Sequence, residues 1–204
     1  MHLLFVCTGN ICRSPIAERL TVAYAAEERE ALGGELTARS AGTAAVVGHP
    51  IEPSAGLVLK GLGGSSAGFR ARQLVAEDVE IADLVITMTR QHRAAVLQRA
   101  PRMMARTFTL REVAALLPEV DGRLLANQRD LDERGRQLIG AMGQLRAARI
   151  VQRDRRRDDI ADPIGGNLDK FQRVGDAIAA ALLPLLGALA GELPNTGRPA
   201  TPVR

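Results

Sequence analysis

The opening of the chain constrains it most. Leu3-Leu4-Phe5-Val6 is an apolar run of strand length, and it passes directly into Cys7-Thr8-Gly9-Asn10-Ile11-Cys12-Arg13-Ser14-Pro15. A buried strand must therefore give way within a few residues to a helix. Ser14-Pro15 supplies the start signal for that helix, a capping serine with proline at the first helical position. A loop between a strand and a helix start aims backbone N–H groups at one spot, and the helix dipole adds positive potential there. The natural guest is an oxyanion with several acceptor oxygens. Arg13 adds a planar, permanently charged fork that suits two phosphate oxygens. Gly9 allows a close turn and Asn10 tolerates left-handed backbone. Thr8, Gly9, Asn10, Ile11, Cys12, Arg13 and Ser14 are therefore the expected phosphate-binding residues.

The same field favours the thiolate of Cys7, which makes it a nucleophile. Ser14 is placed to donate a hydrogen bond to the sulfur. A phosphate in the loop would lie against that thiolate, inviting in-line attack and a phosphocysteine intermediate. Cleaving an ester also requires a proton for the departing oxygen. Asp162 is the candidate acid, and later the base that activates water. It lies in Ile160-Ala161-Asp162-Pro163-Ile164-Gly165-Gly166, a loop by its Pro and Gly content. The expected catalytic set is Cys7, Arg13 and Asp162.

Beyond the loop, strand and helix signals alternate. Ile16, Leu20, Ala23 and Tyr24 recur at helical spacing to about Leu32, where Gly33-Gly34 stops the helix. Leu36 to Ala41 reads as a strand and Ser54 to Leu62 as a helix. Gly61 to Gly68 reads as a plain glycine-rich loop. Ile81 to Met88 reads as a strand, Gln91 to Arg99 as a helix, and Thr107 to Leu110 as a strand leading into a helix to Leu117. Leu131 to Val151 fits a helix inside the charged stretch Asp121 to Asp159. Leu168, Phe171, Val174, Ile178, Leu182 and Leu185 mark the apolar face of a last helix. This alternation predicts a parallel α/β sandwich, whose ligands sit at the carboxyl ends of the strands. Residues 1–190 form the expected domain, and 191–204 read as a disordered tail.

With these residues in view, the chain resembles the low-molecular-weight protein tyrosine phosphatases. The resemblance rests on Cys7 to Pro15 followed by Ala17-Glu18, then Ser40-Ala41-Gly42-Thr43, Ala71-Arg72-Gln73 and Asp162-Pro163 in order, from about residue 2 to 187. It implies a three-layer sandwich with a four-stranded parallel sheet flanked by helices. It also implies that Cys7 is nucleophile, Arg13 phosphate clamp and Asp162 acid, with Asn10, Ser14 and Ser40 in the supporting hydrogen-bond network. The chain departs from the family where aromatic residues wall the phosphotyrosine slot. Ile164-Gly165 follows Asp-Pro, and Ala44-Ala45-Val46-Val47 follows Ser-Ala-Gly-Thr. Phe69 stands where many members have histidine.

Composition narrows the remaining classes. Cys7 and Cys12 are the only cysteines, so a disulfide framework is not expected and a reducing, cytoplasmic setting is. The two could form a reversible bridge that shields Cys7 from over-oxidation. His2, His49 and His92 are scattered, so neither a metal site nor another cofactor is expected. His92 reads as a solvated helix residue. The net charge of +4 comes almost wholly from arginine, with Lys60 and Lys170 the only lysines. Arg153 to Arg157 is interleaved with acids and lacks aromatic partners, so it reads as a solvated face and no nucleic-acid partner is expected. No apolar run approaches the ~18 residues of a membrane span, and no membrane association is expected. The expected partner is a phosphorylated protein, tyrosine-phosphorylated in the first instance, or a small phosphomonoester. An alternative is an arsenate reductase that passes arsenate to an external thiol, since only Cys7 is needed for that version. A phosphate sensor without turnover is a third reading, disfavoured by Cys7 and Asp162 together.

Overall fold

The computed structural model describes residues 1–126, 128–148 and 158–192. β1 (His2–Cys7) reads as a continuous apolar run because both of its faces are covered. Leu3 and Phe5 point into one core, and Leu4 and Val6 into another on the opposite face. Next come α1 (Arg13–Glu27), a single turn α2 (Arg29–Leu32) and β2 (Thr37–Gly42). α3 (Pro53–Gly61) and α4 (Ala76–Glu80) precede β3 (Leu84–Thr87), and α5 (Arg90–Arg99) follows it. The chain continues through β4 (Thr107–Thr109), α6 (Leu110–Leu116), α7 (Arg123–Ala126), α8 (Leu131–Ala148) and α9 (Leu168–Leu189).

The four strands form one sheet in the order β2-β1-β3-β4, with every pairing parallel. Residues of α1, α3, α6, α8 and α9 close one face around Leu3, Phe5, Ile86 and Phe108. The smaller core beneath the other face joins Val6 and Val85 to Val79 of α4 and Val96 of α5. The expected three-layer sandwich is thus present. β2 and β3 flank β1 on opposite sides, so the strand order reverses at the β1–β3 crevice. That is where parallel α/β sheets bind ligands, at the carboxyl ends.

Several local expectations need correction. α1 begins at Arg13, with Cys12 in the capping position and no side-chain cap. Ser14 does not cap, because its hydroxyl is engaged elsewhere. The helix breaks at Glu28, and only the turn of α2 continues before Gly33 ends it in left-handed geometry (φ 65°). α9 is 22 residues long and apolar enough by length and composition to cross a membrane, contrary to the sequence expectation. Its apolar face, from Phe171 and Val174 to Leu185 and Leu189, lies in the core. A buried arginine, Arg134, ties the far end of that packing. Its guanidinium donates to the carbonyls of Leu189 (2.7 Å), Gln128 (2.6 Å) and Leu32 (2.6 Å). Two of those carbonyls terminate helices, where a cation is favoured. The proposed continuation of α8 to Val151, the Arg153–Arg157 run and the tail from 193 onward lie outside the described residues.

Candidate active site

The loop from Cys7 to Ser14 leaves β1 and enters α1 with its peptide planes turned in one sense. The carbonyls of Cys7, Thr8, Gly9 and Ile11 accept hydrogen bonds from the backbone N–H groups of Thr43, Ala44, Val46 and Glu52, at 2.8 to 3.0 Å. Each carbonyl shares a rigid plane with the next residue's N–H, so the amides of Thr8, Gly9, Asn10 and Cys12 face the other way. They line a bowl built for an anion. Gly42 permits this close packing, because a Cβ there would collide with the Thr8 carbonyl. Asn10 turns the loop at φ 54°, the single non-glycine positive φ among the described residues.

Asn10 is fully buried, and each of its side-chain positions is used. Its Nδ2 donates to Ser14 Oγ at 3.0 Å and to Ser40 Oγ at 2.7 Å, and its Oδ1 accepts from the Arg72 N–H at 2.8 Å. Ser40 in turn donates to Glu18 Oε2 at 2.5 Å. Burial pushes the Glu18 carboxyl up, while the Ser40 hydrogen bond and nearby arginines oppose the shift. Ser14 Oγ accepts from Asn10, so its own hydrogen is left for Cys7 Sγ, 2.9 Å away. The order of protons therefore runs toward the sulfur. Cys7 is 2% exposed, and both cysteines are free thiols. Burial, with Glu52 and Cys7 nearby, pushes the Cys12 thiol up to about 12, so Cys12 is protonated at neutral pH.

Arg13 is buried at the helix start and spans the bowl. Its NH1 donates to the Ile160 carbonyl at 3.2 Å, and its NH2 meets Asp162 Oδ2 at 2.5 Å and Thr8 Oγ1 at 3.5 Å. The acid loop is held in place from β3 and α5: Ile160 N–H donates to the Met88 carbonyl at 2.8 Å, and Arg90 N–H donates to Asp159 Oδ1 at 2.8 Å. Within the loop, Asp162 Oδ1 accepts from the Ile164 N–H at 3.2 Å. Its side chain remains 49% exposed. Two segments about 150 residues apart in sequence thus meet on one guanidinium.

Every sequence-predicted site residue falls in or around this bowl. The positions compared with the family's aromatics behave differently from one another. Val46, Val47 and Ile164 are exposed, and Val46 packs next to Gly9 and Ile11. Phe69 is buried in the core beneath the Arg19 guanidinium, 5.5 Å above its ring. His92 is a correction. It is 5% exposed rather than solvated, and its Nε2 lies 2.9 Å from Thr8 Oγ1. Glu18 carried a motif signal but no assigned role, and His92 carried none. The nearest hint is Thr89, which caps α5 through the His92 N–H at 3.2 Å.

The model of the family described as low molecular weight phosphotyrosine protein phosphatase matches residues 2–119. A low molecular weight protein-tyrosine-phosphatase of Escherichia coli K12, Etp, is 40% identical over 106 residues. That match takes in 52% of this chain and 66% of the Escherichia coli protein, just under two thirds of its length. A protein-arginine-phosphatase of Bacillus subtilis is 39% identical over 187 residues, 91% of this chain and 94% of that one. Among solved structures, a cysteine-to-serine mutant of the YwlE arginine phosphatase with a phosphorylated active-site serine superposes with a TM-score of 0.65. It is 26% identical and covers 93% of this chain and 95% of its own.

Proposed function

The chain belongs to the low molecular weight phosphotyrosine protein phosphatase family, and from that premise we propose that it is a cysteine-dependent phosphatase acting on phosphomonoesters, protein phosphotyrosine foremost, through a phosphocysteine on Cys7. The observation that carries this reading is the convergence on one bowl of three groups. They are a sulfur receiving a hydrogen bond from Ser14, a buried Arg13, and Asp162 bonded to that arginine.

The chemistry follows from those positions. The amides and Arg13 take the phosphoryl oxygens, whose charge they complement. Cys7 thiolate attacks phosphorus, the ester P–O bond breaks, and the departing oxygen takes the proton of Asp162. The dianion also competes for the Arg13 fork that otherwise faces Asp162. In the second step water attacks phosphorus and gives a proton to the Asp162 carboxylate. The S–P bond then breaks, and the leaving thiolate is stabilised by the Ser14 hydroxyl and the helix start. Asn10, Ser40 and Glu18 fix the direction of the Ser14 hydrogen bond and take no part in bond making.

The rim supports an aryl ester. Ile11, Val46 and Ile164 offer branched apolar surface beside the bowl, which suits a neutral ring. A phosphoryl-guanidine would find no acceptor for its N–H groups on these apolar walls, so they give it no hydrogen-bonded recognition. The test compares a phosphotyrosine peptide, a phosphoarginine peptide, and arsenate with low-molecular-weight thiols. The expected order is phosphotyrosine above phosphoarginine, with no reduction of arsenate. Cys7→Ser should abolish turnover of both peptides yet still bind vanadate. Turnover near the wild-type rate in Cys7→Ser would remove the nucleophile from the mechanism, and arsenate reduction would replace the reaction class.

A further inference from the structure

We infer that His92 is a positioning residue for phosphoryl transfer: it orients the Thr8 hydroxyl as an additional hydrogen-bond donor at the mouth of the phosphate loop. The inference rests on the reading of the bowl as a phosphoryl-transfer centre and adds a component to it.

The argument is one of proton order. Thr89 Oγ1 accepts from the His92 backbone N–H at 3.2 Å and lies 2.9 Å from His92 Nδ1. With one lone pair taken by the backbone N–H, the Thr89 hydroxyl has its own hydrogen free for Nδ1, and we take it to be given there. Nδ1 is therefore the acceptor nitrogen, and the imidazole hydrogen resides on Nε2. Nε2–H then donates to Thr8 Oγ1 at 2.9 Å. The same oxygen faces Arg13 NH2 at 3.5 Å. With donors on both lone pairs, Thr8 must direct its own O–H away from both. Thr8 is exposed and its Oγ1 lies beside Arg13 NH2, so that O–H is free to turn toward a phosphate held by the same guanidinium. The bowl's other donors are the backbone amides and the Arg13 guanidinium, so this hydroxyl is one more side-chain donor, and its orientation is set from α5, outside the loop.

The surroundings keep this order intact. Arg13 faces the imidazole from α1, and Asp159 and Asp162 face it from the acid loop. Burial and then Arg13 lower the His92 pKa to about 4, against the opposing pull of the two aspartates. The ring therefore stays neutral through the range in which a thiolate phosphatase works. An imidazolium would donate from both nitrogens and deprive the Thr89 hydroxyl of its acceptor. His92 also sits where the two halves of the site join, since α5 holds the acid loop through Arg90 and Asp159 while His92 reaches the phosphate loop.

The experiment measures kcat and KM for an aryl phosphate, and phosphate affinity without turnover, in His92→Ala, His92→Gln, Thr8→Val and the double variant His92→Ala/Thr8→Val. Loss of one such hydrogen bond should lower kcat/KM by about tenfold in His92→Ala and in Thr8→Val. The double variant should be no worse than Thr8→Val alone. Gln carries an amide N–H at a reach similar to Nε2, so His92→Gln should recover most of the loss. Additive losses, or a glutamine variant as poor as alanine, would reduce His92 to a packing role and overturn the inference. Should His92→Ala fail to fold, Thr8→Val still decides, because Thr8 is exposed. Unchanged kcat/KM and phosphate affinity in Thr8→Val would refute the inference. Phosphate affinity separates the two levels of the argument. Wild-type protein that binds no phosphate contradicts the phosphatase reading itself, whereas tight phosphate binding unaffected by Thr8→Val contradicts only the part given to His92.

Discussion

The phosphate loop and the acid loop meet on the same arginine, but they are held in opposite ways. Cys7 to Ser14 is a hydrogen-bonded lattice in which four carbonyls are taken by the neighbouring 43–52 segment and Asn10 is fully bonded. The acid loop is attached by the Ile160–Met88 bond and by Asp159 to α5, and Asp162 itself is half exposed. A phosphate cradle needs fixed dipoles, because reorganisation during the reaction would forfeit their advantage. An acid that must also admit water and release product is better carried on a segment with few ties. The contrast places rigidity with charge stabilisation and exposure with proton transfer.

Breaking the lattice should have the larger effect on stability. Asn10→Ala leaves the Arg72 N–H without its acceptor, removes the hydrogen bonds that Ser14 and Ser40 accept, and puts an alanine at positive φ. Buried unpaired groups cost about 1 to 3 kcal/mol each, so a loss of about 2 kcal/mol or more is expected in urea denaturation, together with impaired turnover. A loss below about 0.5 kcal/mol would show that the loop does not depend on this network.

Loosening the tether should be gentler. The Arg90–Asp159 pair is exposed on both sides. Asp159→Ala should therefore cost only about 0.2 to 1 kcal/mol of stability. Its expected signature is kinetic: a few-fold slower turnover of esters with poor leaving groups, and little change for nitrophenyl esters. A uniform slowing across both would mean that Asp159 supports the cradle as much as the acid.

How far the sequence could be read follows the same division. The cradle lies within Cys7 to Ser14, so contiguous residues carried its chemistry. Asp162 was legible because proline and glycine marked its loop and the mechanism required an acid. Ser14 makes the expected bond to Cys7, but its capping role was misassigned for a physical reason. The rule that a serine before proline caps a helix assumes a free hydroxyl, and here Cys7 and Asn10 engage it. The α1 start consequently has no side-chain cap, and a local rule gives way at the functional site. His92 lies 84 residues from Thr8, and only the placement of β3 beside β1 brings the two together. Phe69, which stands where many members of the family have histidine, packs into the core. The motif marks the Ala71–Gln73 segment. The Arg72 N–H and carbonyl serve Asn10 and Gly42, and the Gln73 side chain serves Thr43 and Ala45.

The central claim is that a fixed phosphate cradle carries charge stabilisation and a separately held acid carries proton transfer. Asp162→Asn, assayed with a series of aryl and alkyl phosphates, tests it most directly. An acid matters only when the departing oxygen is a poor leaving group, and general acid catalysis typically contributes ~10² to 10⁴-fold. The variant should be slowed by about that factor on esters of basic alcohols and phenols, and far less on acidic nitrophenyl esters. Its rates should therefore depend much more steeply on leaving-group pKa than those of the wild type. An unchanged slope, with all esters slowed by one common factor, would mean that Asp162 merely shapes the turn before Pro163 and would contradict the account.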